Sequence, residues 1–412
     1  MRDFLLSVYR HAVESVNPAR LFGKPDLPPG DLWLLAAGKA AVPMARRAEQ
    51  VLGARLRGGL VVTRELQGFA SERLEAFESG HPVPDGRSLE AGRRAMELAS
   101  RGNPLLVLLS GGASALLEAP AEGLELDDLV EANRALLACG APIAEVNAVR
   151  KHLSALKGGR LAERCPCHTL ALSDVLGSDP AAIGSGPTAP DPTTFAQALA
   201  VVRRRGAPLP ERAVEALRAG ACGQRPETPK PGHPCFERCT YRVLADNRRM
   251  AEAALESSTR SVPSTLWTTW LEGEAREVGR VLAATAREMR SSGRPFAPPH
   301  CLVASGETTV TLRGDGRGGR CQELALSFAL AAEGLPDVWL LAAGSDGSDG
   351  PTLAAGAVVD GQLGSRARAA GLEPADFLAR NDAYPLLEKL GALVVTGPTG
   401  TNVNDLVLLR VN

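Results

Sequence analysis

The sequence predicts a two-domain α/β protein: a doubly wound, mostly parallel sheet in the first domain and a second α/β domain with a mixed sheet. Three observations predict it. At 412 residues the chain exceeds the size at which a single hydrophobic core usually stops growing. Short, continuous apolar runs alternate with helical patterns, as in parallel strands buried on both faces and joined by crossover helices. A Pro- and Gly-rich stretch at 219–240, AGACGQRPETPKPGHPCFERCT, breaks that alternation and reads as a linker. The expected domains are 1–230 and 231–412.

In chain order, the N-terminus MRDFLLSVYRHAVESVNPA reads as an amphipathic helix and lacks the apolar core and cleavage site of a signal peptide. Strands are expected at LWLLAA before Gly38, LVV before Thr63, LLVLLS before Gly111 and HTLALS before Asp174, each followed by a turn and a helix. Right-handed βαβ crossovers make this half Rossmann-like. Ligands of such sheets bind beyond the carboxyl ends of the strands, where these glycines and aspartates fall. After the linker come YRVLAD, STLWTTW, CLVASGETTVTL and VWLLAAGSDGSDG. TVTL (309–312), AAGAVVD (354–360) and the closing DLVLLRV predict some antiparallel pairing. No internal repeat is present.

Composition narrows the function classes. Apolar residues make up 44% and charged residues 23%, the balance of a globular enzyme. Lys and Arg number 46 against 47 for Asp and Glu, so no basic field selects nucleic acid as a partner, and Arg203 to Arg205 reads as a solvated helix face. No run approaches the 18 or so apolar residues of a membrane span. A cytoplasmic protein is expected. The 8 cysteines lack paired CxxC spacing and read as free thiols; His233, Cys235 and Cys239 read as a surface loop rather than a zinc site.

Several segments carry chemistry. Lys39 follows a strand and opens a helix, where backbone N–H groups already favour an anion, although the Walker A spacing is absent. Ser110, Gly111, Gly112 and Ser114 form a small-residue turn open to phosphate or carboxylate, or simply a tight βα turn. Arg150, Lys151 and Lys157 lead into a double glycine and suit a carboxylate or phosphate, or else a charged surface. Asp174 and Asp179 are placed to hold Mg²⁺ or accept a hydroxyl proton, or to cap turns. Gly306, Glu307 and Thr308 precede GDGRGGR (314–319 and Arg320), where four glycines suggest a loop around phosphates, with Gly318, Gly319 and Arg320 at its end. Asp346 and Asp349 lie in GSDGSDG, which resembles a calcium loop in composition but lacks the 12-residue ligand pattern.

Taken together, GKAA (38–41), GHPVPD (80–85), SGGASALL (110–117), VRKHLSALKGGRLA (149–162), SDVLGSDP (173–180), SGPT (185–188), SGETTVT (305–311), GRGGR (316–320) and GPTGTNVND (397–405) resemble the glycerate 2-kinase family, whose C-terminal half carries the MOFRL domain, here about 298–408. The resemblance spans nearly the whole chain. It implies ATP-dependent phosphorylation of D-glycerate to 2-phosphoglycerate with Mg²⁺, in a cleft between a Rossmann-like domain and the MOFRL domain. It also implies catalytic roles for Lys39 and Arg320; Asp174, from its place after a strand, is the third catalytic candidate, to orient the glycerate hydroxyl. Asp179, Asp346 and Asp349 are the metal candidates. Cys321 and Leu353 depart from the family pattern, which commonly has Asn and Asp there.

Two other readings stand beside this one. Some relatives are called hydroxypyruvate reductases, which would require NAD(P)H; no GxGxxG follows a predicted strand with an acidic residue about 20 positions on. A non-catalytic protein binding phosphorylated metabolites would use the same loops. A homodimer is an option that the sequence leaves open.

Overall fold

The computed structural model describes residues 1–412, the side chain of Pro25 excepted. The chain forms two compact units, residues 21–244 and residues 1–20 with 245–412. In the first, β1 (Leu32–Ala37), β2 (Leu56–Thr63), β3 (Leu74–Glu78), β4 (Leu105–Leu109), β5 (Cys167–Leu172) and β6 (Thr240–Ala245) lie in the order β3-β2-β1-β4-β5-β6. The pairs among β1 to β5 are parallel. All five residues of β4 are buried, which is why its sequence LLVLL shows no alternation. Strand order reverses direction between β1 and β4, the switch point beyond whose carboxyl edge such sheets bind their ligands.

The second unit holds β7 (Ser264–Leu271), β8 (His300–Gly306), β9 (Val338–Gly344), β10 (Gly356–Asp360), β11 (Leu393–Val394) and β12 (Asp405–Val411), ordered β11-β10-β9-β12-β8-β7. Only β7 and β8 pair in parallel; the other pairs are antiparallel. Helices Ala275–Ser292 and Arg320–Ala331 bury Leu282, Ala286, Leu324 and Phe328 against this sheet. The N-terminal helix Arg2–Ser15 is amphipathic as expected and belongs here: Leu5, Val8 and Tyr9 are buried, and the Tyr9 hydroxyl donates to the Gly344 carbonyl at 2.7 Å.

Several expectations are corrected. The compact units part at 244/245, with residues 1–20 in the later one, rather than as 1–230 and 231–412. The stretch at 219–240 is a strap on the first unit: Thr228 donates to Asp191, Arg225 to the Glu122 carbonyl and Arg160 to the Pro226 carbonyl. Within it Cys235 is buried, at 7% exposure, rather than part of a surface loop. YRVLAD supplies the edge strand β6 of the first sheet, and β3, with the half-polar sequence LEAFE, had no apolar run to reveal it. TVTL is irregular apart from a bridge between Thr309 and Glu274.

Two charged arrangements hold the loops. Lys157 is 1% exposed and its Nζ donates to Glu118, itself 4% exposed; the other Glu118 oxygen accepts from the Ser154 hydroxyl. Burial lowers the Lys157 pKa and Glu118 opposes that shift. In the second unit, the two Asp349 oxygens accept the N–H groups of Cys321 and Gln322 at 3.2 and 2.9 Å, capping helix Arg320–Ala331. Burial, reinforced by the charge of Asp405, nevertheless pushes Asp349 up to about 7.

Removing one member of a buried pair strands the other. Lys157→Met is expected to cost about 3–5 kcal/mol, read from the urea midpoint; a midpoint equal to wild type would show that the pair bears no such load. Because the folded Asp349 carboxyl holds its proton above its unfolded value, its contribution to stability declines as pH rises from about 4 to about 7 and is level above that. Asp349→Asn should flatten that part of the Tm-versus-pH curve, and an unaltered slope would remove Asp349 as its source.

Candidate functional site

The loops after β1 and β4 touch. Gly38 has φ +127°, and a Cβ placed on it would lie 2.2 Å from Ser110 Oγ, so only glycine fits. The Lys39 N–H donates to the Gly111 carbonyl at 2.9 Å and the Ala40 N–H to Ser110 Oγ at 3.0 Å. These bonds fix Lys39, whose side chain is exposed, one residue before the segment that opens helix Ala41–Leu52. Gly112 adopts φ +88° and leads into the short helix Ala113–Leu116. Ser110, Gly111, Gly112 and Lys39 are therefore brought together at the point where the strand order reverses.

Ser114 joins a chain of polar contacts that runs inward. Its hydroxyl meets that of Ser185 at 2.8 Å; Ser185 donates to Asn147 Oδ1 at 3.1 Å, which also accepts from Arg150 Nη1 at 3.5 Å. Arg150 donates through Nε to Asn133 Oδ1 at 2.9 Å. Ser185 is held at φ +60°, a left-handed conformation uncommon for a residue with a side chain, between Gly184 and Gly186 in the same region.

The basic segment at 150–157 does not form a charged surface. Lys151 is buried with its Nζ 3.3 Å from Asp191, and Lys157 is the partner of Glu118, so both expected anion ligands are enclosed by carboxylates of their own. Burial alone would raise Asp191; Lys151 and the Thr193 hydrogen bonds outweigh it and hold the carboxyl below its usual range. Arg150 alone of the three lines a cavity. At the end of β5, Asp174 is half-buried and Asp179 is exposed, its Oδ1 accepting the Ala181 N–H at 2.9 Å.

His81 is a further member of this edge that the sequence reading passed over. It follows β3, and a Cβ on Gly112 would lie 3.0 Å from its ring, so the imidazole edge packs on the glycine turn. Burial, then the charges of Lys39 and Arg64, lowers its pKa below the ordinary 6.5, leaving the ring neutral at neutral pH. Its signal was the GHPVPD motif, but a single histidine in a Pro-rich turn has no spacing that distinguishes a functional ring from a structural one.

In the second unit, Arg320 opens its helix and pairs with both oxygens of Asp405, at 2.5 and 2.8 Å, and with Glu307 at 2.9 Å. Burial works against its charge, but Asp405 and Glu307 raise its pKa above the ordinary value. Gly306, the last residue of β8, faces Asp405 across the strand pair, and Thr308 is buried beside it. Much of the glycine in 314–319 has a packing cause: a Cβ on Gly314 or Gly316 would fall within 2.7 Å of Arg380 or Asp382, and one on Gly319 would meet Asp349 at 2.2 Å. Gly318 has more room, its nearest neighbours lying at 3.4 Å. Asp346 accepts from Ser348 while Asp349 caps the helix, so the two carboxylates are used locally. Among the described residues, no three His, Cys, Asp or Glu side chains gather as a metal-ligand set. Cys321 is buried in the core beneath Arg320, and Leu353 is 79% exposed.

Residues 4–218 match the domain of unknown function DUF4147, and residues 300–405 match the MOFRL family. A D-glycerate 2-kinase of Thermotoga maritima is 41% identical over 419 residues, covering 99% of this chain and 98% of the relative. A relative from Agrobacterium vitis, named only provisionally as a hydroxypyruvate reductase, is 40% identical over 98% of this chain and 93% of its own length. The crystal structure of a glycerate kinase from Thermotoga maritima superposes with a TM-score of 0.89 at 40% identity, covering 100% of this chain and 99% of that one. Similarity of this extent in both sequence and backbone makes the chain a member of the glycerate kinase family, with a MOFRL region in its C-terminal half.

Proposed function

We propose that the protein transfers the γ-phosphoryl group of ATP to the 2-hydroxyl of D-glycerate. The observation that carries this reading is the junction of the Lys39 and Ser110–Gly112 loops at the crevice of the first sheet, in a chain whose relatives include glycerate kinases. Phosphoryl transfer asks little covalent chemistry of a protein; it needs alignment and neutralisation of charge spread over the phosphoryl oxygens. Lys39 supplies a cation beside backbone N–H groups. In the second unit Arg320, held by Asp405 and Glu307, is a guanidinium suited to phosphate oxygens.

The acceptor oxygen forms a bond to the γ-phosphorus as the bond to the β,γ-bridging oxygen breaks, and ADP departs. The neutral ring of His81 takes the hydroxyl proton, and Arg150 binds the glycerate carboxylate. Mg²⁺ carried on nucleotide phosphates needs only one or two protein carboxylates, and Asp174 with Asp179 would hold it at the rim of the first sheet. There it would neutralise phosphate charge.

An assay of ADP release with D-glycerate, ATP and Mg²⁺, with the product identified by NMR, tests the reading. The expected product is 2-phosphoglycerate. Absence of turnover, together with NADH oxidation on adding hydroxypyruvate, would replace the kinase with the reductase. Lys39→Met should lower kcat/KM by about 10²–10³-fold, the scale of one lost transition-state donor; wild-type turnover would remove Lys39 from the mechanism. As a base His81 acts only when neutral, so kcat/KM should rise with pH through a midpoint below 6.5 and then level off. In His81→Asn that rise should vanish along with most of the rate, and a retained rise would assign it to another group.

A further inference from the structure

A cavity of about 230 Å³ lies behind the glycine turn, between helices Leu126–Ala138 and Ile143–Leu153. Its far wall is hydrocarbon: Leu129, Ala132, Leu136 and Val149, none more than 9% exposed. Its polar end is made by His81, Ser114, Asn133 and Arg150, with Gly112 beside them. Glu118 also reaches it, but that carboxylate is already matched by Lys157. Among the described residues no carboxylate lies within ion-pair distance of Arg150, whose hydrogen bonds go to the neutral amides of Asn133 and Asn147. Burial accordingly depresses the Arg150 pKa, with only Glu118 opposing it. A guanidinium so placed favours an anion, and a planar carboxylate matches its fork.

Glycerate accounts for the polar end alone. Its remaining carbon carries a hydroxyl, whereas Leu129, Ala132, Leu136 and Val149 have no polar side-chain atom to receive one, and the Oδ1 of Asn133, which also lines the cavity, already accepts from Arg150. A dry cavity of roughly 150 Å³ lined by aliphatic side chains is large enough for a six-carbon ring, so the space here exceeds the needs of a three-carbon acid. We infer that the cavity binds 2-hydroxycarboxylates bearing a branched hydrocarbon side chain, with the carboxylate on Arg150, the 2-hydroxyl toward His81 and Gly112, and the chain against Leu129, Leu136 and Val149. The orientation of the hydroxyl rests on the phosphoryl-acceptor reading given above; the affinity for the acid itself does not. Such acids therefore compete with D-glycerate for the same polar end.

Calorimetric titration of the full-length protein with D-2-hydroxy-4-methylpentanoate and with D-lactate separates the two contributions. Because a single methylene in an apolar pocket can change discrimination tenfold or more, the branched acid should bind at least 10-fold more tightly than lactate. Filling the wall with Ala132→Phe should cost the branched acid at least 10-fold more affinity than it costs D-glycerate, while Arg150→Met should weaken both acids. Equal affinity for lactate and the branched acid, or no binding of the branched acid to wild type, overturns the inference whether or not the variants fold. The ADP-release assay on the same preparations keeps the two readings apart. Turnover of D-glycerate without a preference for the branched acid sinks the cavity reading alone, whereas the preference without turnover sinks the kinase reading alone.

Discussion

The missing side chain at Gly38 is the constraint on which the candidate site depends. Strands β1 and β4 are adjacent and parallel, so the segments leaving them would diverge if nothing tied them. Because position 38 carries no Cβ, Ser110 can sit against the backbone of the neighbouring loop and accept the Ala40 N–H, while Gly111 accepts that of Lys39. A methyl group there would collide with Ser110 Oγ and its carbonyl and force the loops apart. The position of Lys39, the path of the Gly112 turn and the seat of His81 on that turn all follow from this contact.

Charge is handled differently in the two units. In the first, Lys151 and Lys157 are neutralised inside the protein by Asp191 and Glu118, and their work is to hold the segments around the double glycine. That leaves Arg150, bonded only to amides, as the cation that faces open space. In the second, Arg320 is held by two carboxylates, Asp405 at the start of β12 and Glu307 just past β8, which fixes the guanidinium plane but also balances its charge. An incoming phosphate would meet a preorganised donor there rather than a bare positive charge.

Much of this organisation was legible in sequence because strands buried on both faces announce themselves. LWLLAA and LLVLL in the parallel sheet are apolar throughout, with Gly38 directly after the first and Ser110-Gly111 after the second; the antiparallel β9, VWLLAAG, is equally apolar and ends in Gly344. β3 was hidden because LEAFE sits at a sheet edge with exposed residues and has neither a continuous nor an alternating pattern. The partners of Lys151 and Lys157 were hidden for another reason: Asp191 and Glu118 are 40 and 39 residues away in sequence, and no local rule pairs them. The glycines of 314–319 drew attention to the right segment, yet much of their necessity comes from the backbone of residues 380–382 and from Asp349, which only the fold brings near.

The helix Arg2–Ser15 has a consequence for synthesis. It is translated before residues 21–244, but the surface that covers Leu5, Val8 and Tyr9 belongs to residues 245–412, and the Tyr9 hydroxyl finds its acceptor only at Gly344. The unit spanning 21–244 can be completed while that helix still has nowhere to bury its apolar stripe. Throughout that interval the nascent chain displays an adhesive segment ahead of its completed unit. Its yield in the cell thus depends on how quickly translation delivers the last strands, or on a chaperone that occupies the helix until they arrive.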